Sequence, residues 1–480
     1  MGEKTVVKNY FYNAFYQVFT VITPLIVTPY VSRVLGAEGV GTFSYVQSIA
    51  TYFVLFGTLG GNLYGQREIA YVQSNPDKRS IIFKEVISLR ILTVLFATLL
   101  YFTWFCRAGE HQFIYAIFGV EVLASAFDIS WFFMGIQDFR KSVMRNISIK
   151  CVSLILIFTL VKDAEDVPIY VVCYAVPILI SNLSLWLFLP KYITNAKTQK
   201  KITVARVIPL LGLFIPQAAT EVYTVLDKTM IGLLSEGFSE VGYYEQSQKI
   251  IKVIVKIITA LGLVMLPKMS ELFAQNKMEQ IKKNLEGAFQ FVFMLGCPMM
   301  FGIAAISNNL VPWFFGSGYD KVSDLMFMIA PIIVIIGISN VIGKQYLLPS
   351  RQEKIYTASV VTGSVVNFIL NLLLIPHFNA EGACIATVMA ELCVTLVQAV
   401  GVWKQLPLIK YFIKGIRYIL IGLAMGIIVY MVGLHMNPTY IITIIQIVVG
   451  GIVYVGILIL IKDPVLLQGA HKIKKKIARR

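Results

Sequence analysis

The stretch VLGAEGVGTFSYVQS, from Val34 to Ser48, returns in altered form as LLSEGFSEVGYYEQSQK, from Leu233 to Lys249. Four positions match at an offset of 201 residues, namely Val40, Gly41, Phe43 and Gln47 with Val241, Gly242, Tyr244 and Gln248. Later apolar segments match at a similar offset, though more weakly. One motif recurring at this distance indicates an internal duplication, so we expect two structurally similar halves.

The composition of the whole chain shows whether it folds in water or in a lipid bilayer. Of the 480 residues, 57% are hydrophobic and only 14% are charged, whereas an ordinary soluble domain is about 25% charged. Apolar runs of about 20 residues recur along the chain, and each is long enough to cross about 30 Å of hydrocarbon. The sequence therefore predicts an all-α polytopic membrane protein and excludes a soluble enzyme, a disordered chain and a disulfide scaffold.

Apolar runs between charged or Gly/Pro-marked breaks predict about 14 transmembrane helices. They lie near 9–33, 39–65, 83–106, 111–136, 143–161, 167–189, 206–234, 240–267, 286–308, 323–348, 355–376, 381–403, 412–434 and 439–461. Spans 1–6 and 7–12 form two six-helix lobes. Because six is an even number, the lobes keep the same orientation, which predicts a parallel pseudo-twofold repeat with spans 13 and 14 at the periphery.

The predicted domains follow this division. They are an N-terminal lobe at 1–190, a cytoplasmic linker at 191–205, a C-terminal lobe at 206–404, spans 13 and 14 at 405–462, and a basic cytoplasmic tail at 463–480.

The net charge of +16 is explained by membrane orientation. If both termini are cytoplasmic, most of the 42 Lys and Arg residues fall in inner loops and tails. The basic residues left in outer loops are then few: Arg33, Arg107, Lys162 and Lys321. This positive-inside bias predicts cytoplasmic termini, and the basic excess requires no nucleic-acid partner.

Charged residues at bilayer depth are the most informative feature, because each costs about 2.5–3.5 kcal/mol near a helix centre. In span 8 such residues recur at i, i+4, i+7 and i+11 and so share one helix face: Glu245, Lys249, Lys252 and Lys256. Lysine suits a diphosphate because it is a point charge that can release the ligand again. We therefore predict that this face, with Lys228 of span 7, binds an anionic headgroup.

A structural charge network is the alternative explanation of the same residues. Acids of spans 7 and 8 would then neutralise the lysines across the hairpin, namely Glu221, Asp227 and Glu245 with Lys228, Lys249 and Lys256. Counting Lys252, four lysines against three acids still leave a positive excess.

The other spans hold fewer charges. Arg90 in span 3 either extends the cationic face or snorkels to the membrane edge. Glu121 and Asp128 in span 4 lie seven residues apart and are expected to share a face, either as a proton or Na⁺ coupling site or in a pair with Arg90. Glu391 in span 12 is a further coupling candidate, and Lys344 in span 10 has a weaker claim. No spacing indicates a metal site or a bound cofactor.

Two further patterns are expected to serve packing. Gly57, Gly61 and Gly65 form a repeated GxxxG in span 2, which favours close helix contact. Asn367 and Asn371 share a face of span 11, where either packing or contact with a sugar explains them.

The sequence shows no sign of catalysis. It holds no GxxxxGK[ST] phosphate loop, and no predicted outer loop is longer than about 15 residues, which leaves no room for an external catalytic domain. We therefore expect a protein that is not an enzyme.

The stretch KNYFYNAFYQVFTVITPLIVTPYVSRVLGAEGVGTFSYVQSIATYF, Lys8 to Phe53, followed by LYGQREIA, Leu63 to Ala70, resembles the Wzx-type polysaccharide flippases. These belong to the multidrug/oligosaccharidyl-lipid/polysaccharide exporter superfamily, with the lipid II flippases and the multidrug exporters of the MATE class. The resemblance is most specific over the first three spans. The span count and the cationic interior extend it over the whole chain.

The resemblance implies a flippase that moves undecaprenyl-diphosphate-linked oligosaccharide units from the inner to the outer leaflet by alternating access. The pathway would be capsule, exopolysaccharide or O-antigen biosynthesis at the bacterial cytoplasmic membrane. The implied partners are membrane lipids, a polysaccharide polymerase and a chain-length regulator. The residues implied to contact the headgroup are Arg33, Arg67, Arg90, Lys228, Lys249, Lys252 and Lys256. A MATE-type cation-coupled drug exporter and a non-transporting scaffold of a polysaccharide assembly complex are the alternatives.

Overall fold

The computed structural model describes residues 3–106, 111–194 and 224–467, together with Leu210, Phe214, Ala218 and Glu221. Within them the regular secondary structure is helical. The chain divides into two compact units, Met1–Gly242 and Tyr243–Arg480. Outside the described residues lie Arg107 and most of two predicted segments, the linker at 191–205 and the tail at 463–480.

The first unit consists of helices of very different length, from 6 to 56 residues. Its helices are α1 (Glu3–Thr58), α2 (Gly61–Tyr71), α3 (Pro76–Phe105), α4 (Gln112–Ala124), α5 (Ser130–Gly135), α6 (Phe139–Leu160) and α7 (Val167–Trp186). Residues 224–234 are also helical.

The sequence explains why α3 begins where it does. The side-chain oxygen of Asn75 accepts hydrogen bonds from the backbone N–H groups of Asp77 and Lys78 at 3.1 and 3.0 Å. Pro76 occupies the first turn, where its missing N–H costs nothing. The helix then runs for 30 residues to Phe105. At 1.5 Å per residue this is about 45 Å, enough to cross the hydrocarbon layer.

The second unit continues the same architecture. Its helices are α8 (Ser239–Ala274, which begins in the first unit), α9 (Met278–Phe315), α10 (Asp320–Ile329), α11 (Ile332–Ile342), α12 (Glu353–Val402), α13 (Leu408–Gly433) and α14 (Tyr440–Leu460). A π-helical turn, Gly343–Leu347, follows α11.

Ten helical segments of the described residues are long and apolar enough to cross a membrane. One of them, α12, contains the predicted spans 11 and 12, and the others correspond to one predicted span each. Span 1 and most of span 2 lie in α1, the end of span 2 lies in α2, and most of span 7 falls outside the described residues. The all-α membrane architecture is confirmed, and these helices agree with about 14 spans.

Two long helices bend at residues with positive φ. The bend lies at Gly36 in α1 (φ 65°) and at Asn379 in α12 (φ 49°). Glycine and asparagine adopt positive φ more readily than other residues, and each bend separates two spans that the sequence predicts. The first of these helices ends at Thr58, because Leu59 and Gly60 both have positive φ.

The GxxxG prediction is correct for two of its three glycines. A Cβ on Gly57 would lie 3.2 Å from Val94 Cα, and one on Gly65 would lie 2.4 Å from the Trp131 ring. Nothing lies within 4 Å of such an atom on Gly61. Because α1 ends between them, Gly57 and Gly65 belong to different helices. They allow two separate close contacts and do not form one packing face.

In the second unit, α13 packs on α9 through glycines. A Cβ on Gly415 would lie 2.6 Å from the Phe293 ring, and one on Gly422 or Gly426 would lie 3.0 Å from Phe301. Small residues let helix backbones approach closely in lipid, where van der Waals packing drives association. The other face of α13 exposes apolar side chains, as expected for a helix at the periphery.

Candidate functional site

The predicted lysine stripe lies on α8, and its side chains become more accessible along the helix. The Glu245 side chain is 14% exposed and that of Lys249 is 31% exposed, while Lys252 and Lys256 are exposed. Lys249 Nζ lies 3.6 Å from Glu245 Oε1. From Glu245 to Lys256 the stripe extends about 16 Å. Three ammonium groups on one accessible face can attract and hold an anion.

A buried polar face of α8 fixes the rotation of this helix about its axis, and so determines which side the lysine stripe faces. Tyr244 Oη lies 2.9 Å from Thr387 Oγ1 and accepts a hydrogen bond from Gln248 Nε2 at 2.7 Å. Further along, a Cβ on Gly262 would lie 2.2 Å from Asn340 Oδ1, so a larger residue would require the Asn340 side chain to move. These contacts hold one side of α8 against α11 and α12, and the neighbouring lysine face stays accessible.

Asp227 and Lys228 lie in a helical segment that packs against α1 in the first unit. The next residue, Thr229, has its Oγ1 2.8 Å from Ser48 Oγ and 3.1 Å from Tyr52 Oη. Asp227 is buried and Lys228 is half-buried, and both make polar or electrostatic contacts. Of the alternative charge network, the Glu245–Lys249 pair is present.

The predicted fourth span is not one continuous helix. A 3₁₀ turn, Ser125–Phe127, and extended backbone at Asp128 separate α4 from α5. Such a break frees backbone carbonyl groups, which are costly in an apolar environment unless they are bonded. Three side chains supply the bonds: Arg90 Nε to Ser125 O at 2.7 Å, Asn182 Nδ2 to Ala124 O at 2.8 Å and Trp186 Nε1 to Phe127 O at 2.8 Å. The break is therefore stabilised by the surrounding helices.

Asp128 lies between two arginines. Its carboxylate oxygens are 3.8 Å from Arg90 Nη2 and 3.9 Å from Arg145 Nη1. Arg90 is buried and also donates from Nη1 to Asn62 Oδ1 at 2.6 Å. Pairing with Arg90 is thus the observed explanation of Asp128. Two arginines within 4 Å of this carboxylate disfavour binding of a further cation to it.

Glu121 is half-buried, and one of its carboxyl oxygens is buried and unbonded. Tyr174 Oη donates to Glu121 Oε1 at 3.4 Å, and Oε2 has no hydrogen-bond partner among the described residues. The Tyr174 ring packs edge-on against Phe43. Because α4 ends at Ala124, Glu121 and Asp128 do not share a helix face, and that expectation is wrong. Charging an isolated carboxyl in such surroundings is expensive, so Oε2 is a place where a proton can bind.

Four other predicted residues lie in the second unit. Glu391 is half-buried in α12, and Lys344 is exposed in the π-helical turn. Asn371 Nδ2 donates to Asn367 Oδ1 at 3.1 Å, and both side chains are fully buried. This bond between buried amides favours packing over sugar contact as the explanation of the two asparagines.

The two arginines of the N-terminal motifs are both exposed. Arg67 Nη2 lies 3.0 Å from Glu68 Oε1 on α2. Arg33 lies in α1, three residues before the bend at Gly36. Neither arginine is therefore part of a buried site.

The two copies of the repeated motif meet within the first unit. A Cβ on Gly41 would lie 1.7 Å from Phe238 O, and a Cβ on Gly242 would lie 2.1 Å from Ala37 O. Gly41 and Gly242 are 201 residues apart, and so are Ala37 and Phe238. Each copy of the motif therefore makes the same contact with the other copy. Only glycine fits at either position. The duplication inferred from the sequence therefore has a local pseudo-twofold contact at its centre.

Asp463 has a structural role that the sequence did not indicate, because the residue falls in the predicted basic tail. It is fully buried, and one carboxylate oxygen lies 2.9 Å from Arg417 Nη2 and accepts from Tyr418 Oη at 3.0 Å. The other oxygen accepts from the backbone N–H of Val465 at 2.9 Å. The signal was Asp463-Pro464 directly after the last apolar run, which is a typical helix start.

The chemistry available in the described residues is ion binding and proton exchange. Among them, no three His, Cys, Asp or Glu side chains lie close enough to share a metal ion. The six cysteines, all of which lie in the described ranges, form no disulfide. The lysines of α8 suit an anion, and Glu121 suits a proton.

Comparison with known proteins identifies the family. A family model described as polysaccharide biosynthesis protein matches residues 6–273. A protein of Escherichia coli (strain K12) named as an O-antigen transporter is 24% identical over 403 residues, which cover 81% of this chain and 94% of that protein.

Solved structures identify the fold. A structure of the lipid II flippase MurJ in an inward closed conformation has a TM-score of 0.75 and 16% identity, covering 94% of this chain and 98% of that chain. An inward-facing multidrug resistance MATE family transporter of the MOP superfamily has a TM-score of 0.62 and 10% identity, covering 81% of this chain and 95% of the other. These proteins are named as transporters and flippases, in agreement with the expectation that the chain is not an enzyme. The chain belongs to the polysaccharide biosynthesis protein family, and it is a multi-pass membrane protein with the fold of the MOP superfamily.

Proposed function

We propose that this chain is a flippase that moves undecaprenyl-diphosphate-linked oligosaccharide units from the inner to the outer leaflet. The names of its relatives, O-antigen transporter and lipid II flippase, support a lipid-linked glycan as the cargo. The end product is a surface polysaccharide.

The lysine stripe of α8 is the observation that carries the proposal. At an effective dielectric constant of about 20, an ammonium and a phosphate charge 4 Å apart attract by about 4 kcal/mol before desolvation. Lys252 and Lys256 are exposed and carry their charges on long side chains, so they can follow a diphosphate and release it. The lipid tail stays in the bilayer, the sugars occupy aqueous space, and the headgroup is exposed to one leaflet at a time.

Energy for the cycle comes from the membrane potential or from a proton. Glu121 is the proposed proton site, because its Oε2 is buried and has no partner among the described residues. Asp128 is a poor site for a coupling cation, since Arg90 and Arg145 lie within 4 Å of it. These two arginines also disfavour a cation-coupled drug exporter that would use Asp128, although the MATE class shares the fold.

The test is a triple variant, Lys249→Gln, Lys252→Gln and Lys256→Gln, expressed in cells that need this chain for their surface polysaccharide. We expect polymer to fall about tenfold or more while lipid-linked units accumulate on the cytoplasmic side, because the headgroup loses its counter-charges. Polymer is measured at the cell surface, and the amount of inserted protein is measured in membranes.

A matched control removes the same charge elsewhere, with Lys268, Lys277 and Lys283 changed to glutamine. All three are exposed, near the turn between α8 and α9, and we expect them to leave polymer unchanged. Normal polymer with the stripe variant inserted at its usual level would overturn the headgroup role and favour a non-transporting scaffold. An effect of equal size in both variants would indicate loss of net charge as the cause.

A further inference from the structure

A cavity of about 500 Å³ lies in the second unit between α9, α10 and α13. One part of its wall is apolar and includes Phe301, Leu423 and Ile427. Large apolar residues at its border are exposed, with Phe327 at 65% and Met431 at 64%. An open border of this kind faces the lipid in a membrane-spanning bundle, so the cavity opens sideways into the bilayer. Its volume is within the range of about 300–1,000 Å³ that is usual for ligand pockets.

The other end of the cavity is polar and lies close to the turn that joins α9 to α10. Asp324 lines it, is exposed, and forms no ion pair with a described residue. The lysine one turn earlier, Lys321, lies 3.8 Å from Glu381 Oε1 and is therefore engaged elsewhere. The cavity thus presents an uncompensated carboxylate at one end and apolar side chains at the other.

Hydrogen-bond donors accompany this carboxylate. Asn308 Oδ1 accepts a hydrogen bond from Ser323 Oγ, which leaves the amide Nδ2 of Asn308 available as a donor to the cavity. Tyr430, whose hydroxyl group can also donate, is another residue of the lining. A ligand that fits must therefore carry a cation for the carboxylate, an acceptor for these two donors and an apolar part.

We propose that this cavity binds a phospholipid whose headgroup carries a primary ammonium group, such as phosphatidylethanolamine. The ammonium donates to Asp324, phosphate oxygens accept from Asn308 and Tyr430, and an acyl chain lies along Phe301 and Leu423. An anionic headgroup is repelled by the carboxylate. A choline headgroup carries the same charge as ethanolamine but has no N–H to donate, so it forms the weaker complex.

The site is distinct from the lysine stripe in both chemistry and ligand. The stripe attracts an anion, whereas Asp324 attracts a cation. Under the predicted orientation the polar end of the cavity lies at the outer face of the membrane, where α9 and α13 end. Lipid binding at this site requires no oligosaccharide, so it can be tested whether or not the flippase proposal is correct.

The experiment reconstitutes the full chain in nanodiscs of phosphatidylglycerol mixed with either phosphatidylethanolamine or phosphatidylcholine, with matched acyl chains. Bound lipid is counted by native mass spectrometry after release, and the melting temperature is measured in parallel. We expect about tenfold stronger retention of the ethanolamine lipid, because hydrogen bonds between charged groups are about twice as strong as neutral ones. In Asp324→Asn this preference is expected to disappear.

The matched control is Asp320→Asn. Asp320 lies one turn earlier on the same helix, is also exposed and does not line the cavity. This variant is expected to keep the preference for ethanolamine. Equal retention of the two lipids by the unmodified chain, or an unchanged preference in Asp324→Asn, would overturn the proposal. A loss in both variants would show a general effect of surface charge and would equally contradict a specific site.

Discussion

Arg90 is a buried charged residue that holds several segments of the first unit together. Its guanidinium group bonds Ser125 O and Asn62 Oδ1, and it lies 3.8 Å from Asp128. Each partner belongs to a different segment of the first unit, so one side chain joins α2, α3 and the break that follows α4. Because its donors are engaged in these contacts, a structural role accounts for Arg90 without a ligand.

Replacing Arg90 with methionine is expected to destabilise the protein by roughly 3 kcal/mol, because it leaves a buried carbonyl unbonded and weakens the pairing of Asp128. The measurement is the apparent melting temperature in detergent. Asp128→Asn on its own should also destabilise. The double variant Arg90→Met/Asp128→Asn should lose less than the sum of the single losses, since the two residues interact directly.

Arg67→Met is the control for this prediction. Arg67 is exposed on α2, and surface ion pairs such as the one it forms with Glu68 contribute about 0–1 kcal/mol. A drop in melting temperature as large as that of Arg90→Met would contradict the structural role assigned to Arg90.

At the scale of elements, one tightly constrained contact joins the part of α1 after its bend to the start of α8. Gly41 packs against the second copy of the motif and Gly242 packs against the first, and neither position has room for a methyl group. Glu38 reinforces the contact, accepting hydrogen bonds from the Phe238 backbone N–H at 3.1 Å and from Ser239 Oγ at 2.7 Å. Backbone-to-backbone packing of this kind resists deformation, because no flexible side chain can move aside.

Gly41→Ala and Gly242→Ala are each expected to lower the melting temperature and the transport rate. The added Cβ would overlap a backbone oxygen at 1.7 or 2.1 Å, so the two segments would have to separate. Because the contact is reciprocal, the double variant should cost less than the two single changes together. Thermal unfolding in detergent and polymer assays in cells measure the two effects.

Gly451→Ala provides the reference for these variants. Gly451 lies inside α14, and nothing lies within 4 Å of the position that a Cβ would take there. Alanine favours a helix by up to about 1 kcal/mol over glycine, so this change should be neutral or stabilising. Equal losses at Gly41 and Gly451 would contradict the steric argument.

At the scale of the whole molecule, charge asymmetry predicts orientation. With both termini in the cytoplasm, inner loops and tails would hold most of the 42 Lys and Arg residues, so the positive-inside rule predicts that orientation. The same orientation puts the turn between α9 and α10 outside and the turn between α8 and α9 inside.

Cysteine labelling tests this topology. Ser317→Cys, in the turn after α9, should react with a membrane-impermeant maleimide in intact cells or spheroplasts. Gln275→Cys, in the turn after α8, should react only after permeabilisation, since the reagent cannot reach the cytoplasm. Both positions are exposed, so accessibility does not distinguish them. The unmodified chain, with its six cysteines, gives the background. The reverse labelling pattern would contradict the predicted orientation.

Much of this fold was predictable from the sequence, because the signals involved are local. The length of an apolar run decides whether it can span a bilayer, and the breaks at Gly36 and Asn379 coincide with predicted span boundaries. The lysines of α8 share a face because helical periodicity depends only on spacing. The matching glycines of the two motifs, Gly41 and Gly242, were visible for the same reason.

The interruption of span 4 was not predictable, because what stabilises it comes from other helices. Ser125 O is bonded by Arg90, 35 residues away, and Ala124 O by Asn182, 58 residues away. Local hydropathy over 111–136 predicts one span and gives no sign of where the helix breaks.

The sequence by itself determined the class of protein, the spans, the duplication and the cationic face. Each of these depends on composition or on spacing along one helix. Only the tertiary structure decided that Asp128 is paired with arginines, that Glu121 has an unbonded oxygen and that Asp463 is buried. The reason is physical: whether a charged side chain at bilayer depth is neutralised or free to bind a ligand depends on partners distant in the chain, which packing alone brings within bonding distance.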